Sequence, residues 1–238
     1  MTQASWAPDW IEASRARVTE PQVWRGVESQ HASSTTLLVD GYDEHDALER
    51  LLEGSKPPLP AMQRRKHYLL TTPFRYLPAQ ASHFRRAGRH GLWYGAKALK
   101  AACAEVAYWR MRFILDSVGL ADKKIITRHT FFAAAVDGAG IDLMAPPWDR
   151  CRPAWISHDY AETHRLAEAA EVAAIEVIRY ESVRAPGAAC LAVLTPDALA
   201  EPSGGLDATR QPWVCTATRE HAMMMSEQDR ARRFEWGR

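Results

Sequence analysis

The sequence predicts an α+β protein, and two features of the chain support this class. Short segments rich in β-branched and aromatic residues are separated by turn residues, and they do not alternate regularly with helical segments. A doubly wound parallel sheet needs that alternation, so it is not expected. No internal repeat or low-complexity linker interrupts the 238 residues. We therefore expect one domain over residues 1–238, with a core at about residues 22–218 and an extension at each end.

The N-terminal part of the chain predicts a strand and a helix. Residues 22–29 (QVWRGVES) have the apolar and β-branched character of a short strand. A helix is expected at residues 43–54, because Asp43 suits its N-cap and Gly54 suits the position after its C-terminus. The prolines of residues 56–60 (KPPLP) cannot continue this helix, so they form a connector.

The central part predicts two strands and a long helix. Strands are expected at residues 67–76 (HYLLTTPFRY) and 91–96 (GLWYGA), on either side of the Arg-rich turn SHFRRAGRH. Residues 97–119 then form a helix with few breakers. Its apolar residues cover most of its circumference, which indicates a buried helix.

The C-terminal part predicts a strand at residues 124–136, an irregular loop at 145–155 and an amphipathic helix at 160–172. The tail EQDRARRF is highly charged, and we expect it to be helical or frayed. Three further short strands are expected, at residues 174–183, 188–194 and 211–218.

Composition restricts the function and the compartment. Charged residues make up 25% of the chain and the formal net charge is +1, which argues against a general nucleic-acid binder. The four cysteines are far apart in the sequence, and no two of them form a C-x-x-C motif. We expect them to be reduced thiols. Neither a signal sequence nor an apolar run of membrane-spanning length is present. We expect a soluble, cytoplasmic protein that does not contact the membrane.

The distribution of charge is uneven, because residues 54–104 contain no Asp or Glu. Such exclusion of carboxylates over 51 residues suggests that a polyanion approaches this region. The tract holds ten bases: Lys56, Arg64, Arg65, Lys66, Arg75, Arg85, Arg86, Arg89, Lys97 and Lys100.

Glu105 ends the acid-free tract and lies within the apolar helix. Helical spacing places it beside Ala98, Ala101, Ala102 and Trp109, so the carboxylate has open space in front of it. One interpretation is an ordinary helix carboxylate paired with one of the many arginines. The other is a carboxylate in a pocket, where loss of water and nearby cations tune it for chemistry.

Several residues of the tract are suited to a nucleotide. Arg75 lies between aromatic residues in strand-like sequence, where a guanidinium that grips a phosphate is favoured. Arg85 and Arg86 follow on the next turn and offer further phosphate contacts. Of Trp93 and Tyr94, one is expected to face the core and the other to offer a stacking surface for a planar ring. Metal and phosphate-loop motifs are not found: HDYAETH lacks metal-ligand spacing, and no P-loop is present.

A phosphate-binding arginine, an aromatic platform and a nearby carboxylate together suit cleavage of the nicotinamide–ribose bond of NAD. That step develops oxocarbenium character, which a carboxylate stabilises directly or through a ribose hydroxyl. The alternative is a non-catalytic nucleic-acid module that uses the same basic tract, with Trp93 and Tyr94 as stacking groups. In that case Glu105 beside the binding groove would only repel the phosphate chain.

These residues together resemble the RES-domain family, the toxin components of RES–Xre toxin–antitoxin pairs. The family is named for an Arg, a Glu and a Ser, and the matching candidates are Arg75 in PFRY, Glu105 in AACAE and Ser182 in IRYESVR. Tyr94 in GLWYGA matches the aromatic residue before the Glu-bearing helix. With the stretches VWRGVESQHASSTTLLVD and LERLLEGSKPPLP, the resemblance covers most of residues 22–195.

The resemblance implies a fold similar to ADP-ribosyltransferase toxins, with a mixed or antiparallel sheet and flanking helices. It also implies NAD as substrate, no metal, and a Xre-type helix-turn-helix antitoxin that blocks the site. The acceptor stays open between water, phosphate and a side chain of a target protein. The chain departs from the family at His83, which stands where many members have an arginine.

The resemblance assigns a role to each candidate residue. Glu105 stabilises the developing cation, and Arg75 holds the pyrophosphate with Arg85 or Arg86. Tyr94 packs on the nicotinamide or its ribose. Ser182 donates or accepts a hydrogen bond at the nicotinamide side.

Overall fold

The computed structural model describes residues 6–29, 39, 41–55, 57 and 66–237. The helices are α1 (Trp10–Ser14), α2 (Tyr42–Ser55), α3 (Tyr68–Arg75), α4 (Leu99–Leu115), α5 (Arg152–Trp155) and α6 (Ala161–Val172). The strands are β1 (Ala16–Glu28), β2 (Trp93–Ala96), β3 (Ile125–Asp142), β4 (Val177–Glu181), β5 (Ala189–Val193), β6 (Leu199–Ala200), β7 (Gln211–Ala217), β8 (His221–Ser226) and β9 (Arg233–Gly237).

The described strands form one mixed sheet in the order β1-β2-β5-β4-β3-β7-β8-β9, with β6 also paired to β3. The long strand β3 pairs antiparallel with β1 along one side, from Ala16↔Gly140 to Glu28↔His129. Its other side pairs with β7, β6 and β4 in turn, and β4 runs parallel to it. The predicted α+β class with a mixed sheet is therefore confirmed.

The sheet curls until β1 also meets β2, at the pair Trp24↔Ala96. The strands β1, β2, β5, β4 and β3 thereby form a closed ring, while β7, β8 and β9 extend the sheet beyond β3. Helix α4 lies across this sheet, and its alanines and Cys103 are buried against aromatic and aliphatic side chains. The small alanine side chains let the helix backbone approach the strands closely. The central helix predicted from the sequence is thus correct, although it is shorter than residues 97–119.

The strand predicted at residues 67–76 is wrong, because this segment forms helix α3. Leu70 and Phe74 are buried and lie four residues apart, which is helical spacing rather than strand alternation. The His67 side chain caps the helix by accepting a hydrogen bond from the Leu69 N–H at 3.1 Å. Arg75 is therefore the last residue of a helix and not part of a strand.

The tail EQDRARRF is not helical: residues 227–232 form bends and a turn, and Arg233 and Phe234 begin strand β9. Phe234 and Trp236 are partly buried and alternate with exposed residues, which is the period of a strand. Phe234 stacks on Trp213 of β7 at 5.5 Å between ring centroids. Charged residues on either side of Phe234 make this alternation hard to recognise in the sequence.

Some expectations lie outside the described residues. The connector at 56–60 falls there except for Pro57, as does most of the segment between β1 and α2 that contributes to the family resemblance. In the described part of the chain, no helix is long and apolar enough to cross a membrane.

Gly26 of β1 permits the close approach of α4 to the sheet. A Cβ atom at this position would lie 2.6 Å from the Phe131 ring and 2.9 Å from the Val106 side chain. Both neighbours are constrained, because Phe131 is fully buried in the core and Val106 packs against that core.

We predict that Gly26→Ala lowers the free energy of unfolding by about 1–3 kcal/mol, as overpacking of a core does. Urea unfolding measures the change. Gly119→Ala is the matched control, because a Cβ there would meet nothing within 4 Å. Equal stability of the two variants would contradict the close contact of α4 with β1.

Candidate active site

A cavity of about 700 Å³ lies between β1, one side of α4 and the loop that precedes β2. Its volume is in the range of small-molecule sites. Aromatic and cationic side chains line it, and Glu105 is at its wall. Lining residues that bear on the chemistry are Arg25, Glu28, Ser82, His83, Tyr94, Glu105, Trp109, Arg110, Arg112, His129, Tyr160, Tyr180 and Arg184.

Glu105 is held in place by Ser182, which lies just beyond the end of β4. The Ser182 hydroxyl donates to Glu105 Oε1 at 2.8 Å. Ser182 Oγ in turn accepts the backbone N–H groups of Arg184 at 3.2 Å and Ala185 at 3.0 Å. Since these two donors take the lone pairs of Oγ, the hydroxyl hydrogen is directed to the carboxylate. The structure thus brings two residues together that are 77 positions apart.

The environment of Glu105 acts on its charge in two opposite ways. Burial raises the pKa of the Glu105 carboxyl, because the charged form loses water. The Ser182 hydrogen bond and the positive charge of Arg184 lower this pKa and offset part of the effect of burial. A partly desolvated carboxylate with one oriented donor is suited to stabilising a cation.

Tyr94 lies on β2 and lines the same cavity. Its hydroxyl is 2.9 Å from Ser82 Oγ and accepts the Phe84 backbone N–H at 3.1 Å. Burial raises the pKa of Tyr94, so the phenol is neutral at physiological pH. The two hydrogen bonds fix the ring, which leaves it as a rigid wall beside Glu105.

Arg25 of β1 is a candidate site residue that the sequence interpretation missed. It lines the cavity, and its Nη1 donates to the Tyr94 carbonyl oxygen at 2.9 Å. Its guanidinium carbon lies 5.6 Å from the centre of the Trp93 ring. Burial lowers the pKa of Arg25 to about 10, so it is still a cation at pH 7.

No carboxylate of the described residues forms an ion pair with Arg25, and its Nε is buried without a hydrogen-bond partner. A signal for it was present in the sequence. By strand alternation Arg25 shares a face with Val23 and Val27, so an arginine stands on the apolar side of a strand.

The arginines chosen from the sequence lie elsewhere. Arg75, at the end of α3, does not line the cavity, and its Nε donates to the Pro57 carbonyl oxygen. Arg85 is buried, and its guanidinium donates to the backbone carbonyls of Pro78, Gln80, Arg86 and Arg89. A guanidinium used in this way holds its own loop together.

Carboxylates from other segments neutralise much of the acid-free tract. Arg86 pairs with Glu168 of α6 at 2.5 Å, and Arg89 pairs with Glu171 at 3.3 Å. Lys97 similarly pairs with Glu20 of β1 at 2.8 Å. These three bases therefore already have carboxylate partners within the protein. Lys56, Arg64 and Arg65 lie outside the described residues.

The loop that contains Arg85 forms one wall of the cavity through Ser82 and His83. His83 stacks on Tyr180, with 5.4 Å between ring centroids and 15° between planes. Burial lowers the pKa of His83 to about 4, so it is neutral at pH 7. This neutral ring stands at the position where the family resemblance leads us to expect an arginine.

Metal ligation has no support in the described ranges, where no group of three or more His, Cys, Asp or Glu side chains could hold a metal ion. The free cysteines Cys103, Cys190 and Cys215 are buried. Burial raises the pKa of Cys190, which lines the cavity, to about 12. This thiol is protonated and unreactive at pH 7.

The RES domain family model matches residues 58–214, about two thirds of the chain, and the chain belongs to this family. Glu105, Tyr94 and Ser182 all lie within the matched residues, whereas Arg25 precedes them.

A solved structure shows a more distant likeness. The crystal structure of the M. tuberculosis MbcT–MbcA toxin–antitoxin complex contains a chain that is 12% identical, with a TM-score of 0.48. The alignment covers 89% of this chain and 92% of that chain. At this similarity nothing about the present site follows from it. No curated protein matches the sequence significantly.

The buried charge of Glu105 should reduce stability at neutral pH. Because its pKa is raised in the folded protein, ionisation costs more in the folded than in the unfolded state. This cost is present above the folded pKa, and it disappears below the pKa of the unfolded chain, where both states are protonated.

We therefore predict that Glu105→Gln has a higher Tm than wild type at pH 7, and that the difference shrinks towards pH 4. Thermal unfolding at several pH values measures it. Glu220→Gln, on an exposed carboxylate, is the control and should show no comparable gain. A lower Tm for Glu105→Gln at pH 7 would contradict a costly buried charge.

Proposed function

We propose that this protein is an NAD-consuming enzyme, the toxin of a toxin–antitoxin pair, which cleaves the nicotinamide–ribose bond. The observation that carries the proposal is Glu105, oriented by Ser182 in a cavity that also contains Tyr94 and Arg25. The family supports the toxin role, and the cavity chemistry supports the reaction. The likeness to the ADP-ribosyltransferase fold stays a prediction.

The proposed reaction needs a negative charge next to the ribose carbon of the bond that breaks. As the glycosidic bond lengthens, the electron pair leaves with nicotinamide and the ribose carbon becomes cationic. Glu105, with its carboxylate held by the Ser182 hydroxyl, offsets this charge directly or through a ribose hydroxyl. The fixed Tyr94 ring supports the nicotinamide or its ribose and excludes water from one side.

The role of Ser182 is refined by its contacts. Its hydroxyl hydrogen points to Glu105 and its lone pairs are used by backbone donors. We assign Ser182 to positioning the carboxylate rather than to holding the nicotinamide group.

The role of the substrate-holding arginine passes to Arg25 in this proposal. Arg25 lines the cavity and has no carboxylate partner among the described residues. Arg75 and Arg85 do not line the cavity and donate to backbone carbonyls, and Arg86 pairs with Glu168. A buried, unpaired guanidinium is the group that gains most from an anionic ligand.

The acceptor of the ADP-ribose stays open in three ways. Attack by water gives a glycohydrolase, attack by phosphate gives a phosphorylase, and attack by a protein side chain gives an ADP-ribosyltransferase. The partner proposed with the family resemblance is a Xre-type helix-turn-helix antitoxin that blocks the cavity. An anionic or carboxylate-terminated segment of it would suit Arg25 and Arg184.

A nucleic-acid module is less well supported. Arg86, Arg89 and Lys97 already face carboxylates, and Arg85 is used by its own loop. A phosphate chain on this face would have to displace these ion pairs and would meet the acids of α6.

We predict that purified protein releases nicotinamide from NAD and that Glu105→Gln lowers kcat about a hundredfold, the usual effect of losing one such contact. NMR of free nicotinamide, in buffer, with phosphate and with cell lysate, measures turnover; mass spectrometry detects modified protein. Glu220→Gln is the control, because Glu220 is exposed and does not line the cavity. No nicotinamide under any condition would reject the proposal.

The two candidate arginines can be separated by a matched pair of changes. Arg25→Gln should lower kcat/KM for NAD at least about tenfold, since a charge-assisted contact is worth roughly 1.5–3 kcal/mol. Arg75→Gln should stay within about threefold of wild type, because Arg75 does not line the cavity. The reverse order of effects would return the phosphate-binding role to Arg75. Circular dichroism of both variants checks that each is folded.

A further inference from the structure

A second cavity, of about 560 Å³, adjoins the first on the outer side of Arg184. The two cavities share Trp109, Arg112, Tyr160 and Arg184 as lining residues, so they lie next to each other. The second cavity alone is lined by Tyr108, Met111, Leu115 and His158. Its wall is therefore largely aromatic and apolar, with cations at the side that faces Glu105.

Arg184 is a fixed cation between the two cavities. Its guanidinium carbon lies 3.4 Å from the centre of the Tyr108 ring. Its backbone N–H donates to Ser182 Oγ, the atom whose hydrogen contacts Glu105. Within the described residues Arg184 forms no ion pair, so its charge is available to a ligand.

Charges distinguish the second cavity from the other end of the first. That end contains Glu28 paired with Arg110. An anionic ligand there would meet the carboxylate of Glu28. The second cavity has no Asp or Glu among its lining residues. An anion that starts near Glu105 is therefore drawn past Arg184 rather than towards Glu28.

A planar base joined to a phosphate fits these features. The apolar and aromatic wall of Tyr108, Met111 and Leu115 suits a nucleobase, which gains from stacking and from loss of water. The guanidinium of Arg184 suits the phosphate that links the base to the rest of the ligand.

We propose that the second cavity binds the adenylate half of the substrate, with the adenylate phosphate at Arg184 and the adenine against Tyr108. This inference rests on the proposed function, since it assumes that a dinucleotide lies across both cavities. Nicotinamide mononucleotide, which lacks the adenylate half, would then occupy the first cavity alone.

Two probes test the inference on the full chain, AMP and nicotinamide mononucleotide, by isothermal calorimetry or ligand-observed NMR. Tyr108→Leu should weaken AMP binding about tenfold, the size of one lost base–aromatic contact, and leave nicotinamide mononucleotide binding within about twofold. Arg184→Gln should weaken AMP binding as well. The matched control is Tyr68→Leu, since Tyr68 is 61% exposed and lines neither cavity.

Each outcome decides the inference. Loss of AMP binding alone in Tyr108→Leu supports it. No AMP binding by wild type, unchanged binding in Tyr108→Leu, or equal loss of both probes overturns it. If AMP responds as expected but NAD is never cleaved, the nucleotide site stands and the proposed function fails. If NAD is cleaved, the ratio of kcat/KM for NAD to that for nicotinamide mononucleotide should fall about tenfold in Tyr108→Leu, and an unchanged ratio also overturns the inference.

Discussion

The hydrogen bond between Ser182 and Glu105 is the contact on which the site depends. A carboxylate removed from water needs a donor, and the helix that carries Glu105 supplies none. The donor comes from the end of β4, where the turn after the strand uses its own backbone N–H groups to orient the serine. The packing of α4 on the sheet and the conformation of the turn after β4 must therefore both place these two side chains within hydrogen-bond distance of each other.

Arginine serves three different purposes around this contact. Arg85 is a scaffold, since its guanidinium is surrounded by the carbonyl groups of its own loop. Arg86 and Arg89 attach that loop to α6 through ion pairs. Arg25 and Arg184 face the cavities and have no described carboxylate partner. Residue type alone does not distinguish these purposes, because each depends on which acceptors the fold brings near.

Much of the fold could be predicted from the sequence, and the site only in part. The central helix and the strands around residues 22–29, 91–96 and 188–194 follow from local patterns, because burial repeats at the period of the element. Residues 67–76 are predicted as a strand because their two threonines and their aromatic residues favour one. In the structure, Leu70 and Phe74 are buried at helical spacing, and the segment is a helix. Glu105 stands out because it is an acid among alanines.

The choice of arginines could not be made from the sequence, because a guanidinium's partners come from distant segments. Arg86 meets Glu168 and Arg89 meets Glu171 only after α6 packs on the loop. Arg25 is unusual in the sequence because it shares a strand face with two valines. Its partner, the Tyr94 carbonyl oxygen, is known only when β1 is placed beside β2.

The pairing of β1 with β3 has a consequence for biosynthesis. Residues 16–28 find their partners at residues 129–140, and Glu105 finds its donor at residue 182. Contacts so distant along the chain form late and slowly, because the intervening segment must first be closed into a loop. As the ribosome releases the chain from its N-terminus, the cavity cannot assemble until about three quarters of the residues have emerged. The nascent chain therefore lacks this site for most of its synthesis.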